Sequence, residues 1–124
     1  MSYLIVFVGG GIGAAMRHAI NRAALAVLGA SFPFGTLIVN ILGSFLMGVL
    51  AVVLLARAEG DQSLRLFLAT GILGGYTTFS AFSLEAALMW EKAQWLSLGS
   101  YVIGSVALSI GALFVGMVAA RSFS

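Results

Sequence analysis

Charged residues are scarce in this sequence, and their scarcity decides its broad class. Only 8% of the 124 residues are Asp, Glu, Lys or Arg, whereas an ordinary soluble domain carries about 25%. Hydrophobic residues make up 61% of the chain, and the mean hydropathy is +1.13. Too little charge is present to cover a water-facing surface, and the length allows a single domain. We therefore expect one integral membrane domain over residues 1–124.

Cysteine is absent and histidine occurs once, at His18. The absence of cysteine excludes a disulfide framework and thiolate metal chemistry. A single imidazole excludes a multi-histidine metal site within one chain, and it leaves no plausible serine, histidine and acid set because His18 lies in an apolar segment. Runs of basic residues are also missing, which argues against nucleic-acid binding. The sequence therefore predicts neither an enzyme nor a nucleic-acid-binding protein.

Apolar sequence recurs in four stretches that are long enough to cross a membrane. A helix needs about 20 apolar residues to traverse a hydrocarbon core of roughly 30 Å. The linkers between the stretches are short and contain the only proline, Pro33, as is usual for helical hairpins. The sequence predicts an all-α protein with four transmembrane helices, at about residues 3–28, 36–56, 64–90 and 95–120.

The distribution of positive charge leaves the orientation in the membrane open. With four spans, both termini share one side with the loop between spans two and three, which gives that side Arg57, Arg65 and Arg121. The other side holds Lys92 and Arg22. Because Lys and Arg normally accumulate on the cytoplasmic side, so small a difference permits insertion in both orientations. A single fixed orientation set by other factors is the alternative.

The 16 glycines indicate close helix packing. Gly9 and Gly13, like Ser44 and Gly48, have the small-xxx-small spacing that lets helix backbones approach each other in lipid. Four helices can hardly enclose a polar route while each also gives lipid an apolar face. We therefore expect a partner subunit.

Two spans carry polar residues at every fourth position, which places them on one helix face. Serine and threonine hydroxyls can bond to a carbonyl of the preceding turn, so the stripes alone leave packing and a polar route as alternatives. Asn40 is different, because its amide has two donors and a carbonyl to satisfy where no bulk water is present. It requires a partner across an interface or a solvated cavity. The stripes consist of Thr36, Asn40 and Ser44 in the second span and Tyr101, Ser105 and Ser109 in the fourth.

The third span contains the sequence GILGGYTTFSAFSLE, residues 71–85, in which we expect a helix break. Two adjacent glycines followed by two threonines weaken a helix from Gly74 to Thr78, since glycine costs roughly 1 kcal/mol relative to alanine and threonine is restricted at χ1. Phe79 and Phe82 then fall on roughly one face beside polar residues. An aromatic ring is positive around its edge, so these rings could receive an anion without a fixed countercharge. Contact with lipid or the core is the alternative.

Four further polar residues lie near these motifs. Arg17 either faces a water-filled vestibule, where it attracts anions, or extends to a lipid headgroup. Glu85 lies about 15 Å along a helix from Gly75, so we expect it to approach a membrane interface rather than the midplane. Ser80 and Ser83 place hydroxyls beside the two phenylalanines.

These motifs make the chain resemble the small fluoride-channel family called Fluc or CrcB, over essentially its whole length. The most specific motif is GGYTTFSAFSLE (residues 74–85), followed by FGTLIVNILGSF (34–45) and GGGIGAAMR (9–17). The resemblance implies an antiparallel homodimer of four-helix subunits with dual topology and two fluoride pores, in the inner (plasma) membrane of the cell. It further implies a passive channel through which cytoplasmic fluoride leaves down its gradient, and thus fluoride resistance.

The resemblance also implies roles for individual residues. Asn40 is expected to line a pore, and Phe79 and Phe82 to present ring edges to fluoride. A structural sodium ion at the dimer axis is implied as well, held by the backbone carbonyls of Gly74 and Thr77. Two breaks that meet across a twofold axis would supply four oxygens to this ion, because carbonyls freed at membrane depth need partners. The remaining pore residues implied are Tyr101, Ser105 and Ser109, with Thr36 and Glu85 as further candidates.

Two other functions fit part of the sequence. A proton-coupled exporter of the small multidrug type has a similar length and can also insert both ways. Such a pump needs a carboxylate buried in its first span, and this first span contains none. A structural membrane subunit would explain the glycines but not Asn40 and the phenylalanine pair. Fluoride conduction is therefore the favoured prediction.

Overall fold

The computed structural model describes residues 1–56 and 62–122, which are helical apart from short turns and one break. Six α-helices and one π-helix follow one another along these residues. They are α1 (Ser2–Leu28), α2 (Phe34–Ala56), α3 (Gln62–Arg65), the π-helix π1 (Leu66–Leu73), α4 (Gly74–Tyr76), α5 (Ser80–Glu91) and α6 (Trp95–Ser122).

Four helical stretches are long and apolar enough to cross a membrane, which confirms the predicted all-α, four-span architecture. They cover Ser2–Leu28, Phe34–Leu54, Ser63–Glu91 and Trp95–Ser122. Each exceeds the roughly 30 Å of a hydrocarbon core at about 1.5 Å of rise per residue. The comparison of positive charge between the two sides stays a prediction, because Arg57 lies outside the described residues.

Helices α2 and α6 pack closely along much of their length. Their backbones approach at two glycines. A Cβ atom on Gly48 would collide with the Leu113 carbonyl of α6, and one on Gly116 would collide with the Phe45 carbonyl of α2. Small residues are required at both points because any side chain would force the helices apart. This contact brings the polar stripe of α2 beside the polar stripe of α6.

Helix α1 packs in the same way against the first half of the third span. A Cβ atom on Gly9 would lie 3.0 Å from the Cα atom of Gly71. One on Gly13 would collide with the Ile72 carbonyl. The glycines that the small-xxx-small spacing singled out therefore pack helices together within a single chain.

The third span changes its hydrogen-bond pattern before it breaks. Residues Leu66–Leu73 form a π-helix, whose wider turns accommodate more residues than an α-helix. The sequence prediction did not include this feature. Residues Gly74–Tyr76 are α-helical, Thr77 is extended, and the helix resumes at Ser80.

The predicted break is present, but its predicted start at Gly74 is wrong. Gly74 has φ −62° and ψ −39°, and helical geometry persists through Tyr76. The reason lies in packing rather than in helix propensity. A Cβ atom on Gly75 would collide with the Gly10 carbonyl, so this glycine lets α1 approach closely and does not mark the point of unwinding.

Much of the apolar surface of the chain is uncovered. The largest fully buried side chains are Tyr101 and Val39. By contrast, Phe7 is 79% exposed and Phe114 is 60% exposed. Contiguous apolar exposure on this scale is typical of a surface that meets lipid or another protein chain.

Substitution of Gly116 by alanine tests the close contact between α2 and α6. The added methyl group would collide with the Phe45 carbonyl, so we expect Gly116→Ala to lose about 1–3 kcal/mol of stability. The measurement is the unfolding temperature of the detergent-purified protein. Gly111→Ala is the matched control on the same helix, because a Cβ atom there meets no atom within 4 Å. Equal unfolding temperatures for the two variants would contradict the proposed role of Gly116.

Candidate functional site

The break in the third span begins at Thr77, where the backbone turns extended. This residue has φ −80° and ψ 159°. Its N–H and its Oγ1 hydroxyl both donate to the Leu73 carbonyl, at 3.0 Å and 2.9 Å. Threonine hydroxyls that bond back to the preceding turn compete with the helical pattern and bend helices. The side chain of Thr77 itself therefore helps to end the helix at this point.

Asn40 of α2 holds the opened backbone in place. Its Nδ2 donates to the Thr78 carbonyl at 2.9 Å, and its Oδ1 accepts from the Thr78 N–H at 2.9 Å. The predicted need of this amide for partners is met across the contact between α2 and the broken span, within one chain. One N–H of the Asn40 amide is not used by this pair of bonds.

An inner cavity of about 310 Å³ lies between α2, α6 and the break. It gathers residues from both predicted polar stripes and both phenylalanines into one place. None of the side chains that line it carries a charge. The lining residues are Asn40, Gly43, Ser44, Met47, Thr77, Phe79, Phe82, Ser105, Val106, Ser109, Ile110 and Leu113.

The two serines of α6 bring unused hydroxyl donors to the inner cavity. The Oγ atoms of Ser105 and Ser109 are buried, and neither has a hydrogen-bond partner among the described residues. Ser122, on the same helix, instead donates to the Val118 carbonyl at 3.0 Å. The alternative in which the serine stripe is satisfied by the preceding turn therefore does not hold for Ser105 and Ser109. A buried hydroxyl without a partner costs about 1–3 kcal/mol, which a suitable ligand would recover.

Aromatic rings form one wall of the inner cavity. The ring centroids of Phe79 and Phe82 are 5.6 Å apart with planes inclined at 45°. Phe82 also contacts Tyr101, with centroids 5.1 Å apart and planes at 45°. Phe79 remains 77% exposed, so the residues that the structure describes leave much of its ring uncovered.

An outer cavity of about 460 Å³ lies next to the inner one, towards the end of α1 and the turn after α5. Thr36 and Glu85 line it, so the structure separates these two predicted residues from the inner cavity. The fully buried Tyr101 links the two regions, because its hydroxyl donates to Glu85 Oε1 at 2.9 Å while its ring packs on Phe82.

Arg17, Ser80 and Ser83 are predicted residues that line neither cavity. The Nε atom of Arg17 donates to the Gly75 carbonyl at 3.2 Å, one of the carbonyls that the break deprives of a helical donor. The hydroxyl of Ser80 is 3.4 Å from Thr78 Oγ1. The side chain of Ser83 is exposed.

Two carbonyls at the break are suited to a cation. In an unbroken helix the Thr78 N–H would donate to the Gly74 carbonyl, and the Ala81 N–H would donate to the Thr77 carbonyl. Here these N–H groups donate to side chains instead, the first to Asn40 and the second to Thr78 Oγ1 at 3.2 Å. Within residues 1–56 and 62–122 no group of His, Cys, Asp and Glu side chains could hold a metal. Freed backbone carbonyls at the end of a half-helix are typical sodium ligands in membrane proteins.

Sequence reasoning missed several lining residues. Met47, Val106 and Leu113 in the inner cavity are apolar and carry no signal that separates them from lipid-facing residues. Asn21 in the outer cavity did have a signal, because it follows Arg17 by four residues and so shares its helix face. Lys92 also lines the outer cavity, although in the sequence it counted only towards the positive charge on one side of the membrane.

Replacement of Asn40 by alanine should destabilise the break. The variant leaves the Thr78 N–H and carbonyl without partners, so we expect a loss of about 1–3 kcal/mol and faster hydrogen exchange at the Thr78 amide. Asn21→Ala is the matched control, since the described residues supply no hydrogen bond to that side chain. Unfolding temperature and amide exchange are the measurements. Unchanged exchange at Thr78 in Asn40→Ala would contradict the two bonds.

Comparison with known proteins shows where this architecture belongs. The family described as "CrcB-like protein, Camphor Resistance (CrcB)" matches residues 4–117. A relative from Nitrobacter hamburgensis is 50% identical over 98% of both chains, and one from Rhodopseudomonas palustris is 49% identical over the full length of both. A third, from Mesorhizobium japonicum, is 52% identical over 96% of this chain and 95% of its own. All three are named fluoride-specific ion channels. The chain therefore belongs to the CrcB family, which confirms the resemblance read from its motifs.

Proposed function

We propose that the protein is a passive, fluoride-selective ion channel and not an enzyme. The observation that carries this proposal is the inner cavity, where two buried hydroxyls without partners lie beside an asparagine amide and two phenylalanine rings. The names of the relatives from three organisms agree with it.

The chemistry of the inner cavity suits a small anion that accepts strong hydrogen bonds. Ser105, Ser109 and the spare N–H of Asn40 supply donors that can replace the water around fluoride. The positive ring edges of the phenylalanines add weak attraction. Because no charged side chain lines the cavity, an ion would be held weakly enough to leave again, as conduction requires.

The ends of the broken helix favour the same assignment. The first turn of α5 begins at Ser80, directly after Phe79 of the cavity wall, and helix N-termini carry partial positive charge that favours anions. The C-terminal end of α4 carries partial negative charge, and there Arg17 donates to the Gly75 carbonyl. The N-terminal end of α5, which favours anions, thus lies at the proposed fluoride route. The carbonyl end of α4 favours cations instead.

The outer cavity is the proposed entrance to this route. Thr36 lines it, and Tyr101 joins it to the inner cavity. Fluoride would pass from the outer cavity by the tyrosine to the serine hydroxyls of α6. The proposed pore residues are therefore those predicted, Thr36, Asn40, Phe79, Phe82, Tyr101, Ser105 and Ser109, with Glu85 at the entrance.

The channel is proposed to be an antiparallel homodimer with two pores. One chain leaves Phe79 77% exposed and Gly74 exposed at the break, and a second copy would cover both. The near balance of Lys and Arg between the two sides permits the opposite orientations that such a dimer needs. An antiparallel pair carries one route in each copy, which gives two.

A structural sodium ion is proposed at the twofold axis, bound by the Gly74 and Thr77 carbonyls of each copy. The lack of helical donors for these two carbonyls supports the site. When bound, the ion would supply positive charge that neutralises carbonyl oxygens at membrane depth.

In the cell, the proposed role is to let cytoplasmic fluoride leave through the inner membrane down its gradient. No carboxylate lies in Ser2–Leu28, where a proton-coupled multidrug-type exporter would need one. That alternative has no support and is not retained.

Purified protein in liposomes should release fluoride rapidly and chloride barely, because chloride accepts hydrogen bonds weakly and is larger. Ion-selective electrodes measure both fluxes, and protein-free liposomes give the background. Equal release of the two halides, or fluoride release only under an imposed proton gradient, would contradict the proposal.

The double variant Ser105→Ala/Ser109→Ala is the matched variant in the same assay. It removes two hydroxyls that have no partner among the described residues, so its unfolding temperature should not fall. Its fluoride flux should fall about tenfold or more, since donors to the ion are lost. A full fluoride flux in this variant would remove the serines from the route.

Withdrawal of sodium should loosen the dimer. The proposed ligands are backbone carbonyls, which no side-chain substitution can delete, so the cation itself is exchanged for a large organic cation. A sizing column run with and without sodium reports the fraction of dimer, with a potassium buffer to control for ionic strength. An elution volume indifferent to sodium would contradict the ion site, and a monomer in both buffers would contradict the dimer.

A further inference from the structure

The walls of the outer cavity carry one carboxylate and one ammonium group. Glu85 and Lys92 are the two charged side chains among its lining residues. They lie seven residues apart along α5 and its C-terminal end, which is two helical turns or about 10 Å. Both therefore lie on the same helix face, with Glu85 deeper and Lys92 nearer the end of the span.

The Glu85 carboxylate lies where its negative charge would repel fluoride that enters the proposed route. Glu85 is half-buried and accepts the hydroxyl of Tyr101 at 2.9 Å. A negative charge at the mouth of a narrow route lowers the local concentration of anions. A positive charge in the same cavity offsets that repulsion.

Lys92 also has a structural role at the end of α5, which is distinct from an effect on entering ions. It is the C-terminal cap residue of α5, and its N–H donates to the Leu88 carbonyl at 3.0 Å. A cation at a helix C-terminus also stabilises the helix through its dipole. That role would affect unfolding, whereas an effect on entering ions would affect flux.

We propose that Lys92 is an electrostatic residue of the fluoride route, which offsets the Glu85 carboxylate and raises the local fluoride concentration in the outer cavity. This inference rests on the proposed fluoride-channel function. Its chain-specific basis is that the side chain of Lys92 is exposed and lines the cavity, whereas those of Arg22 and Glu91, which are also exposed, do not.

The test is fluoride efflux from liposomes at two ionic strengths, with sodium held constant and an impermeant potassium salt added. At about 10 mM ionic strength the screening length is about 30 Å, and we expect Lys92→Gln to lower flux about two- to fivefold. At about 1 M the screening length falls to about 3 Å, and the flux of the variant should return to that of the wild type. Lys92→Arg keeps the charge and should behave as wild type at both ionic strengths.

Arg22→Gln is the matched control, because it removes the same charge from α1 outside the cavity. It should lower flux less than Lys92→Gln does. An equal loss in the two variants, or a loss in Lys92→Gln that high salt does not reverse, would overturn the proposal. A lower unfolding temperature together with unchanged flux would assign Lys92 to capping alone. Absence of fluoride flux from the wild type would contradict the channel function itself and would be seen in the same experiment.

Discussion

The backbone polar groups that the break exposes at membrane depth are the constraint on which the rest of the structure depends. In hydrocarbon, each N–H and carbonyl without a partner costs several kcal/mol. The chain supplies side-chain partners to several of these groups. Asn40 takes both polar groups of Thr78, and Arg17 takes the Gly75 carbonyl. Arg17 of α1 and Asn40 of α2 thus find their partners in the third span, to which neither belongs.

The two helix ends at the break carry opposite partial charges. The first half of the third span ends in carbonyls that attract cations, and the second half begins with N–H groups that attract anions. One short interruption between Tyr76 and Ser80 would therefore serve both of the proposed purposes, attachment of a partner through a cation and passage of an anion. A fixed positive side chain inside the inner cavity is unnecessary in such an arrangement, and none lines it.

The sequence predicted the spans, the two polar stripes and the existence of the break, because hydropathy and helical spacing are local properties. It did not predict where the break begins. Glycine lowers helix propensity wherever it occurs, yet Gly75 stays helical because it packs against the Gly10 backbone. Whether Gly75 unwinds or stays helical therefore depends on its contact with α1, which is distant in sequence.

The sequence predicted which polar and aromatic residues form the candidate site, but it did not predict that they line two separate cavities. Thr36 and Asn40 share a helix face, but they line different cavities, since Tyr101 from α6 lies between the two regions. The π-helix before the break had no signal in composition at all. Such features follow from how the spans pack against one another, and spacing along one helix does not report that packing.

The turn between α5 and α6 couples the two walls of the inner cavity to each other. Trp90 and Trp95 flank the turn with ring centroids 4.8 Å apart and planes at 85°, and tryptophans at helix ends anchor in the headgroup layer. A change in bilayer thickness would therefore act on the adjoining ends of α5 and α6 together. In the proposed channel, this contact would keep the α5 and α6 walls of the inner cavity together in membranes of different thickness.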